Sequence, residues 1–581
     1  MRLSRFHGLA FALLAFAGSP LHSQTRTDSL NYKLTRPPID TLVAYSKTTG
    51  PTERAKRQIA ALLKWSEALR ILILNGPVIL PPPVDTTTPP PKPTPAPNPG
   101  PSTLAELPRQ LPAVTTPAPT RQVRVCATCS LQAAVNAAQG GDELLLPPGA
   151  TYVENIDLPD KGAAQSWITI RTDVVVPAGR MTPTRAAQLG LAKIMTTTNV
   201  AAFKTTMTAH HWRLTALDIG GTSTANDVTG LIRIGDAGAP QVSLTNEAHD
   251  FILDHLYVHG TPTQVIRRCI ALNGYRAAVL DSWVSDCHNN NSDSQAIAMW
   301  NGTGVYLIEN NHLEAGHEIV IFGGGDPSTP NMVPADATIR RNHLYRPPQW
   351  RGVWQMKNLF ETKNVKRLLF EGNVLENVWP DAQQGFAFLL KSTNQSGTAP
   401  WSITADVTIR YNVINNAAHG FNIATNPSSQ TVARLTIHDN VFGPFSVTDN
   451  TIDLMLQAGV NDLVFAHNQF ASATNTVVTF GDPTPTNRIT IHSNVFLQPG
   501  QYGVKGPGFA SGTPTLNAWL VKGGGLWSHN LLLGAPCAGY PASPATFCTA
   551  ASPLQQGYDA RSIGPDMARV NAATAGVVIA P

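Results

Sequence analysis

The chain has 581 residues, among them 45 glycines and 47 prolines; 14% are charged, 42% are hydrophobic, and the formal net charge is +4. So many turn formers with so few charges exclude a helical bundle, and the apolar fraction excludes wholesale disorder. The small net charge and the lack of a long basic run exclude an electrostatic footprint for nucleic acid.

The first 24 residues read MRLSRFHGLAFALLAFAGSPLHSQ, with Arg2 and Arg5 ahead of an apolar run from Leu9 to Ala17. This layout predicts a secretory signal peptide over 1–23, cleaved after Ala15-Phe16-Ala17 or near Ser23 and Gln24. The apolar run is short for a membrane span and none of eighteen residues follows it. A secreted or extracytoplasmic protein that is not transmembrane is expected. Residues 24–76 contain one predicted helix, over 52–74, with Thr52 as its N-cap. Residues 77–120 include PPPVDTTTPPPKPTPAPNPGP, where proline fixes φ and removes donors, so an extended spacer is predicted. It serves either as a tether to the cell surface or as an inert linker.

The globular part is expected over 121–536. It opens with a short helix over 131–139, between Ser130 as N-cap and Gly140 at C′, and this helix is predicted to cap the first coil. Short strands such as ELLLPPGATY and WITIRT follow. The segments TIRRNHLY, TIRYNVIN, TIHDNVFG and TIHSNVFL then repeat one strand grammar. Aligned on the asparagine, the anchors are His255, Trp283, Asn311, Asn342, Asn373, Asn412, Asn440, Asn468, Asn494 and Asn530. A period of about 28 residues with loop insertions, built from several short strands, predicts an all-β, right-handed parallel β-helix. Each asparagine is assigned a tight corner in αL geometry and a hydrogen bond to its counterpart one coil away. Ile339, Ile409, Ile437 and Ile491 are predicted to share one interior column, and a monomer is expected.

Six cysteines in an exported chain allow disulfides. Cys126–Cys129 is predicted as a local bridge, and Cys537–Cys548 as a bridge in the loop-rich tail over 537–581. Cys269 and Cys287 fall fourteen and four residues after their anchors, so they are predicted to be buried free thiols.

The segment SLQAAVNAAQGGDELLLPPGATY, together with WITIRT and the asparagine coils, resembles the right-handed parallel β-helix proteins of the pectin-lyase-like superfamily, over roughly 122–536. More narrowly, SDSQAIAMWNG, EIVIFGGGDPS and KNLFETKN resemble a group of secreted bacterial β-helix proteins without an assigned activity. The superfamily resemblance implies a groove for acidic sugars on one outer face, with Arg or Lys as the lyase base and Ca²⁺ on the substrate acid. The polygalacturonase pattern is not met: the chain has no Asp-Asp, and Ala418-His419-Gly420 and Arg488-Ile489-Thr490 each depart by one residue. Asp254-His255 with Arg346 to Arg351 follows the order of a pectate-lyase pattern, or else the arginines simply form a charged turn beside Asn342.

The densest polar material lies in three successive long loops. Asp286 and Asp293 are candidate Ca²⁺ ligands, Lys357 and Arg351 candidate bases, and Glu318, Trp300, Trp354 and Arg346 candidate substrate contacts. The competing assignment makes the charges solvated ion pairs and the tryptophans packing residues. The function predicted from these residues is binding or cleavage of polysaccharide, with a lyase on uronate-containing glycans as one form. The alternative is a non-catalytic carbohydrate-binding or structural module.

Overall fold

The computed structural model describes residues 104–579 except 223–227, 237–240, 448–449, 472–473, 482–485, 498 and 534–555. The expected signal peptide, the helix over 52–74, most of the Pro-rich linker and the Cys537–Cys548 bridge lie outside the described residues. No helix among the described residues is long and apolar enough to cross a membrane.

Strands of successive coils pair in parallel into three sheets of 14, 13 and 12 strands, here called A, B and C in the order each coil visits them. In each sheet a strand neighbours the one from the preceding coil and the one from the following coil, which makes a right-handed parallel β-helix. At about 4.8 Å per strand, sheet A extends on the order of 60 Å. The helix Leu131–Ala137 covers the first coil, with the Ser130 side chain accepting from Ala133 N.

Alternation along each strand turns every second side chain inward, and the repeat stacks those side chains. Register places Ile308, Ile339, Phe370, Ile409, Ile437, Phe465 and Ile491 in one column, all buried. The four predicted isoleucines therefore do share an interior column, interrupted by two phenylalanines. Phe388 stacks on Phe421 at 4.7 Å and Phe442 on Phe470 at 4.4 Å, so aromatic rings fill the same interior from the other two sheets.

The asparagines form a continuous ladder at the turn between sheets A and B. Each Oδ1 accepts from the backbone N–H of the equivalent residue one coil earlier: Asn311 N to Asn342 at 2.9 Å, Asn342 N to Asn373 at 2.9 Å, Asn373 N to Asn412 at 2.9 Å, and onward to Asn530. Two expectations change. The left-handed conformation falls on the residue before each asparagine, as at Asn310, Arg341, Tyr411, Asp439 and His467 with φ from 53° to 58°, which frees the asparagine to turn its amide along the axis. The first two anchors move by one residue, to Leu256 and Ser282. Ser282 Oγ accepts from Leu256 N at 3.0 Å, so a hydroxyl does there what the amide does later.

A second ladder was not anticipated. Between the paired residues of sheet A, one bulged position in each of eight coils holds Asp250, Arg276, Asp336, Arg367, Asp406, Arg434, Asp462 and Arg488, each at φ from 50° to 61°, while the coil between Arg276 and Asp336 has Val305 there. Arg367 grips Asp336 at 2.6 and 3.0 Å, Arg434 grips Asp406 at 2.6 and 2.7 Å, and Arg488 grips Asp462 at 2.6 and 2.9 Å. The end of the Pro-rich linker lies along this column. Ala105 N donates to Thr436 Oγ1, Glu106 N to Asp406 and Arg109 N to Asp336, while Arg213 reaches Thr116.

The described residues of the tail, from 556 to 579, also lie against the coils. Asp439 accepts from Arg561 and from Asp566 N, and Arg341 donates to the carbonyls of Ala573 and Ala575 on either side of the end of the helix Met567–Thr574.

Cys126 and Cys129 are bridged as predicted. Cys269 and Cys287 are bridged too, with Cα atoms 5.8 Å apart, which corrects the expectation of free thiols. Counting from the anchors assumed an even register, whereas sheet B shifts register between Val284 and Cys287, and both side chains are buried in the common interior. Replacing both by alanine is expected to cost about 3 kcal/mol, the contribution typical of a bridge closing a loop of this order; urea unfolding of the double variant measures it.

Candidate functional site

Sheet C presents an outward column of Arg268, Gln295 and Glu318, and beside it a column of Arg233, Ala271, Ala298, Ile321 and Glu361. Asp293 and Lys357 lie just before the sheet C strands of two of these coils and reach each other there. Lys357 Nζ donates to Asp293 Oδ1 at 2.6 Å and stands 3.7 Å from Glu318 Oε1. Gln295 donates to Glu318 Oε2 at 2.7 Å, Asn358 donates to Glu361 Oε2 at 2.9 Å, and Lys363 lies 3.2 Å from Glu361 Oε1. Three carboxylates and two ammonium groups thus share one patch.

Burial, then the charges of Glu361 and Asp293, push the Glu318 carboxyl up to about 7. Burial also raises Asp293, but the Lys357 hydrogen bond and charge outweigh it and hold that carboxyl below its ordinary value. Two neighbouring acids with protonation states driven apart are the arrangement that proton-transfer chemistry uses. The Glu318 side chain is only 1% exposed and lies beneath Lys357, which is 17% exposed.

Arg233, Arg267, Arg268, Ala271 and Trp300 line a cleft of about 240 Å³ on the same sheet. The Arg268 guanidinium sits 4.5 Å over the Trp300 ring, and burial lowers this arginine to about 10. The buried Nε atoms of Arg267 and Arg268 have no hydrogen-bond partner. Sequence reasoning missed these arginines, whereas Glu361 with Lys363 belongs to its competing assignment of ion pairs; the two do pair, at 3.2 Å, with Glu361 buried. Counting one coil back from the Asp293 strand leads to Arg268.

The predicted site residues divide into two groups. Asp293, Glu318, Lys357 and Trp300 come to the sheet C face. Arg346 is fully buried and donates to the carbonyls of Ala315, His317 and Asn358, so it cannot touch a substrate; it fixes the backbone next to Glu318 and Lys357. Arg351 is exposed and lies 5.8 Å over the Trp379 ring. Trp354 stacks on His288 at 3.8 Å, within a cluster of Trp350, Met356 and Trp379. Asp286 is the penultimate residue of the sheet B strand Trp283–Cys287, with Oδ1 3.7 Å from His288 Nε2, so the turn that follows separates it from Asp293, just before the sheet C strand Gln295–Met299. Asp254 is held by Arg213 at 2.9 Å through both oxygens, as an ion pair within sheet A.

Calcium does not fit this donor set. It takes six to eight oxygens, and here two ammonium groups already occupy the patch, with Asp293 Oδ1 bound to Lys357 and Glu361 Oε1 3.2 Å from Lys363.

Sheet B carries another polar chain. Glu314 Oε1 is 2.7 Å from His312 Nε2, His312 Nδ1 is 3.0 Å from His343 Nδ1, and His343 Nε2 is 2.9 Å from Glu376 Oε2. Burial pushes Glu314 up to about 8 and His312 well down, while the His343 hydrogen bond holds Glu376 low. Protonated Glu314 then donates a hydrogen bond to a neutral His312. Because the folded state binds this proton more tightly than the unfolded chain, stability falls as pH rises from about 4.5 to about 8. Glu314→Gln is expected to flatten that slope and to gain up to about 4 kcal/mol over the parent at pH 8, with little change at pH 4. Urea unfolding at the two pH values tests it.

No family model and no curated protein sequence matches the chain. Among solved structures, the chain is similar to an alginate lyase from Paenibacillus sp. str. FPU-7, at 14% identity over 55% of this chain and 95% of that one, with a TM-score of 0.36. It is similar to the catalytic domain of a GH87 alpha-1,3-glucanase at 11% identity over 68% and 67%, TM-score 0.38, and to pectate lyase Pel9A at 12% identity over 77% and 96%, TM-score 0.32. At these identities the likeness concerns the fold alone.

Proposed function

We propose that the sheet C face binds an acidic polysaccharide and cleaves it by β-elimination, as a lyase on uronate-containing glycans. The observation that carries this is the placing of an arginine cleft beside two acids of opposed protonation tendency on one sheet. Arg268 and Arg267 take substrate carboxylates, with Trp300 behind them. A uronate carboxylate draws Lys357 away from Asp293 and uncovers Glu318. Ionised Glu318 takes the proton alpha to the carboxylate, the bond to the departing sugar breaks as the ring double bond forms, and the Lys357 ammonium protonates the departing oxygen. Lys357 acts here as acid and counter-ion, its Nζ already being the donor in the 2.6 Å bond to Asp293 Oδ1. Secretion, and a tether through the Pro-rich linker, accord with a substrate outside the cell.

The enclosure of Glu318 favours a second reading, a module that binds acidic glycan without turnover. Incubating the purified chain with polygalacturonate, alginate and a neutral alpha-1,3-glucan separates the two. Ultraviolet absorbance of an unsaturated product from a uronate polymer supports the lyase. Retention on the uronate polymers without product supports the module, and reducing ends released from the neutral glucan alone would sink both.

A further inference from the structure

We propose that His210, His211 and His249 bind one borderline divalent metal ion, of the class Zn²⁺, Co²⁺ or Ni²⁺, on the outer face of sheet A. His210 and His211 open one strand and His249 opens the strand of the following coil, in register with His210. One ring nitrogen from each of the three lies within 4.8 Å of the other two. His210 Nδ1 and His211 Nδ1 face each other at 2.7 Å. Two imidazole nitrogens about 2.0–2.1 Å from a tetrahedral zinc stand about 3.3 Å apart, so an ion enters between them after a displacement of about half an ångström.

Carboxylates stand behind two of the rings, and His249, which stacks parallel on His210 with centroids 4.7 Å apart, must tilt for both to reach one ion. Asp250 Oδ2 is 2.6 Å from His249 Nδ1, so the proton sits on Nδ1 and the Nε2 lone pair is free to coordinate. Asp160 Oδ1 is 3.8 Å from His210 Nε2, leaving His210 Nδ1 for the ion. A carboxylate behind the far nitrogen is the usual outer support of a metal-binding histidine, because it fixes the tautomer and raises ligand basicity. Imidazole ligands suit zinc, cobalt and nickel and do not suit calcium or magnesium. His211 takes the left-handed bulge position, φ 56°, that Asp250 takes one coil later in the charge ladder, which is why its ring lies beside His210 and His249.

The other group of possible metal ligands among the described residues, His467 with His492 and Asp559, lacks this freedom. His467 Nε2 is already 3.0 Å from Asp559 and Nδ1 is 3.0 Å from the Ser562 carbonyl, so both nitrogens hold the tail in place.

The test uses tag-free full-length chain dialysed against EDTA and then against chelator-free buffer, titrated calorimetrically with Zn²⁺ and, in a parallel sample, with Co²⁺ while visible absorption is recorded. One saturable site with a nitrogen-ligand cobalt spectrum is expected. His211→Ala and His249→Gln should each weaken zinc at least tenfold while keeping the parent's far-ultraviolet circular dichroism, and His467→Ala should leave the affinity unchanged. The proposal is overturned if the folded parent shows no saturable binding, if both histidine variants bind as the parent does, or if His467→Ala abolishes binding. It concerns sheet A alone, so glycan turnover neither supports nor weakens it.

Discussion

Asn373→Ala is expected to lose about 3–5 kcal/mol of stability. The Asn373 amide is fully buried and makes four bonds: its Oδ1 accepts from Asn342 N and Asn342 Nδ2, and its Nδ2 donates to Ile339 O and Asn412 Oδ1. Alanine leaves two donors and two acceptors buried without this partner, and each such group costs about 1–3 kcal/mol. Shared acceptors reduce the sum, since Asn412 Oδ1 still accepts from Asn373 N at 2.9 Å. Asn415→Ala, one strand away and only half-buried, should stay within about 0.5 kcal/mol of the parent. Urea unfolding followed by circular dichroism compares the two, and a loss below about 1 kcal/mol for Asn373→Ala would mean that the ladder follows the coil geometry without stabilising it.

Glu318→Gln should lower turnover on a uronate polymer by about 10²–10⁴-fold, the range for a positioned proton-transfer group. Glutamine keeps the acceptor that Gln295 uses, so binding of the polymer should survive. In the parent, activity should rise as pH passes through about 7, where Glu318 ionises. The sign of the stability change is opposite to that of activity. A carboxyl raised from its ordinary value to about 7 favours the folded state less and less as pH climbs between those values, so Glu318→Gln should be more stable than the parent above pH 7 and equal to it near pH 4. Lys357→Ala should be inactive as well, and should leave an uncompensated Asp293 on the surface. Full turnover by Glu318→Gln on the polymer that the parent cleaves would remove Glu318 from the mechanism.

The repeat was legible because a solenoid writes its geometry into spacing: a residue recurring about once per coil must stack, whatever the loops between. The ladder's beginning was misplaced because Leu256 and Ser282 stand where later coils have asparagine, and a serine hydroxyl sends no compositional signal that it replaces an amide. The charge ladder escaped because each aspartate and its arginine lie a whole coil apart in sequence, so no short window of the sequence contains a pair. Arg346 looked like a surface residue in a Pro-rich loop, yet three backbone carbonyls enclose it. Asp286 and Asp293 seemed one cluster because they are close in sequence, but the chain turns from sheet B to sheet C between them. Of the site, Asp293, Glu318 and Lys357 were found because their loops were long and polar, while Arg233 and Arg268 were missed inside short, regular coils.

The arm that crosses sheet A also has a mechanical meaning. Its contacts run backwards along the coils, from Thr436 at Ala105, through Asp406 and Asp336, to Arg213 at Thr116. A pulling force that enters through the chain upstream of residue 104 therefore meets the flank of the coils near Thr436, far from the capping helix. The load is shared among these lateral attachments before it reaches Leu131–Ala137, so the first coil is shielded from being unwound at its exposed end.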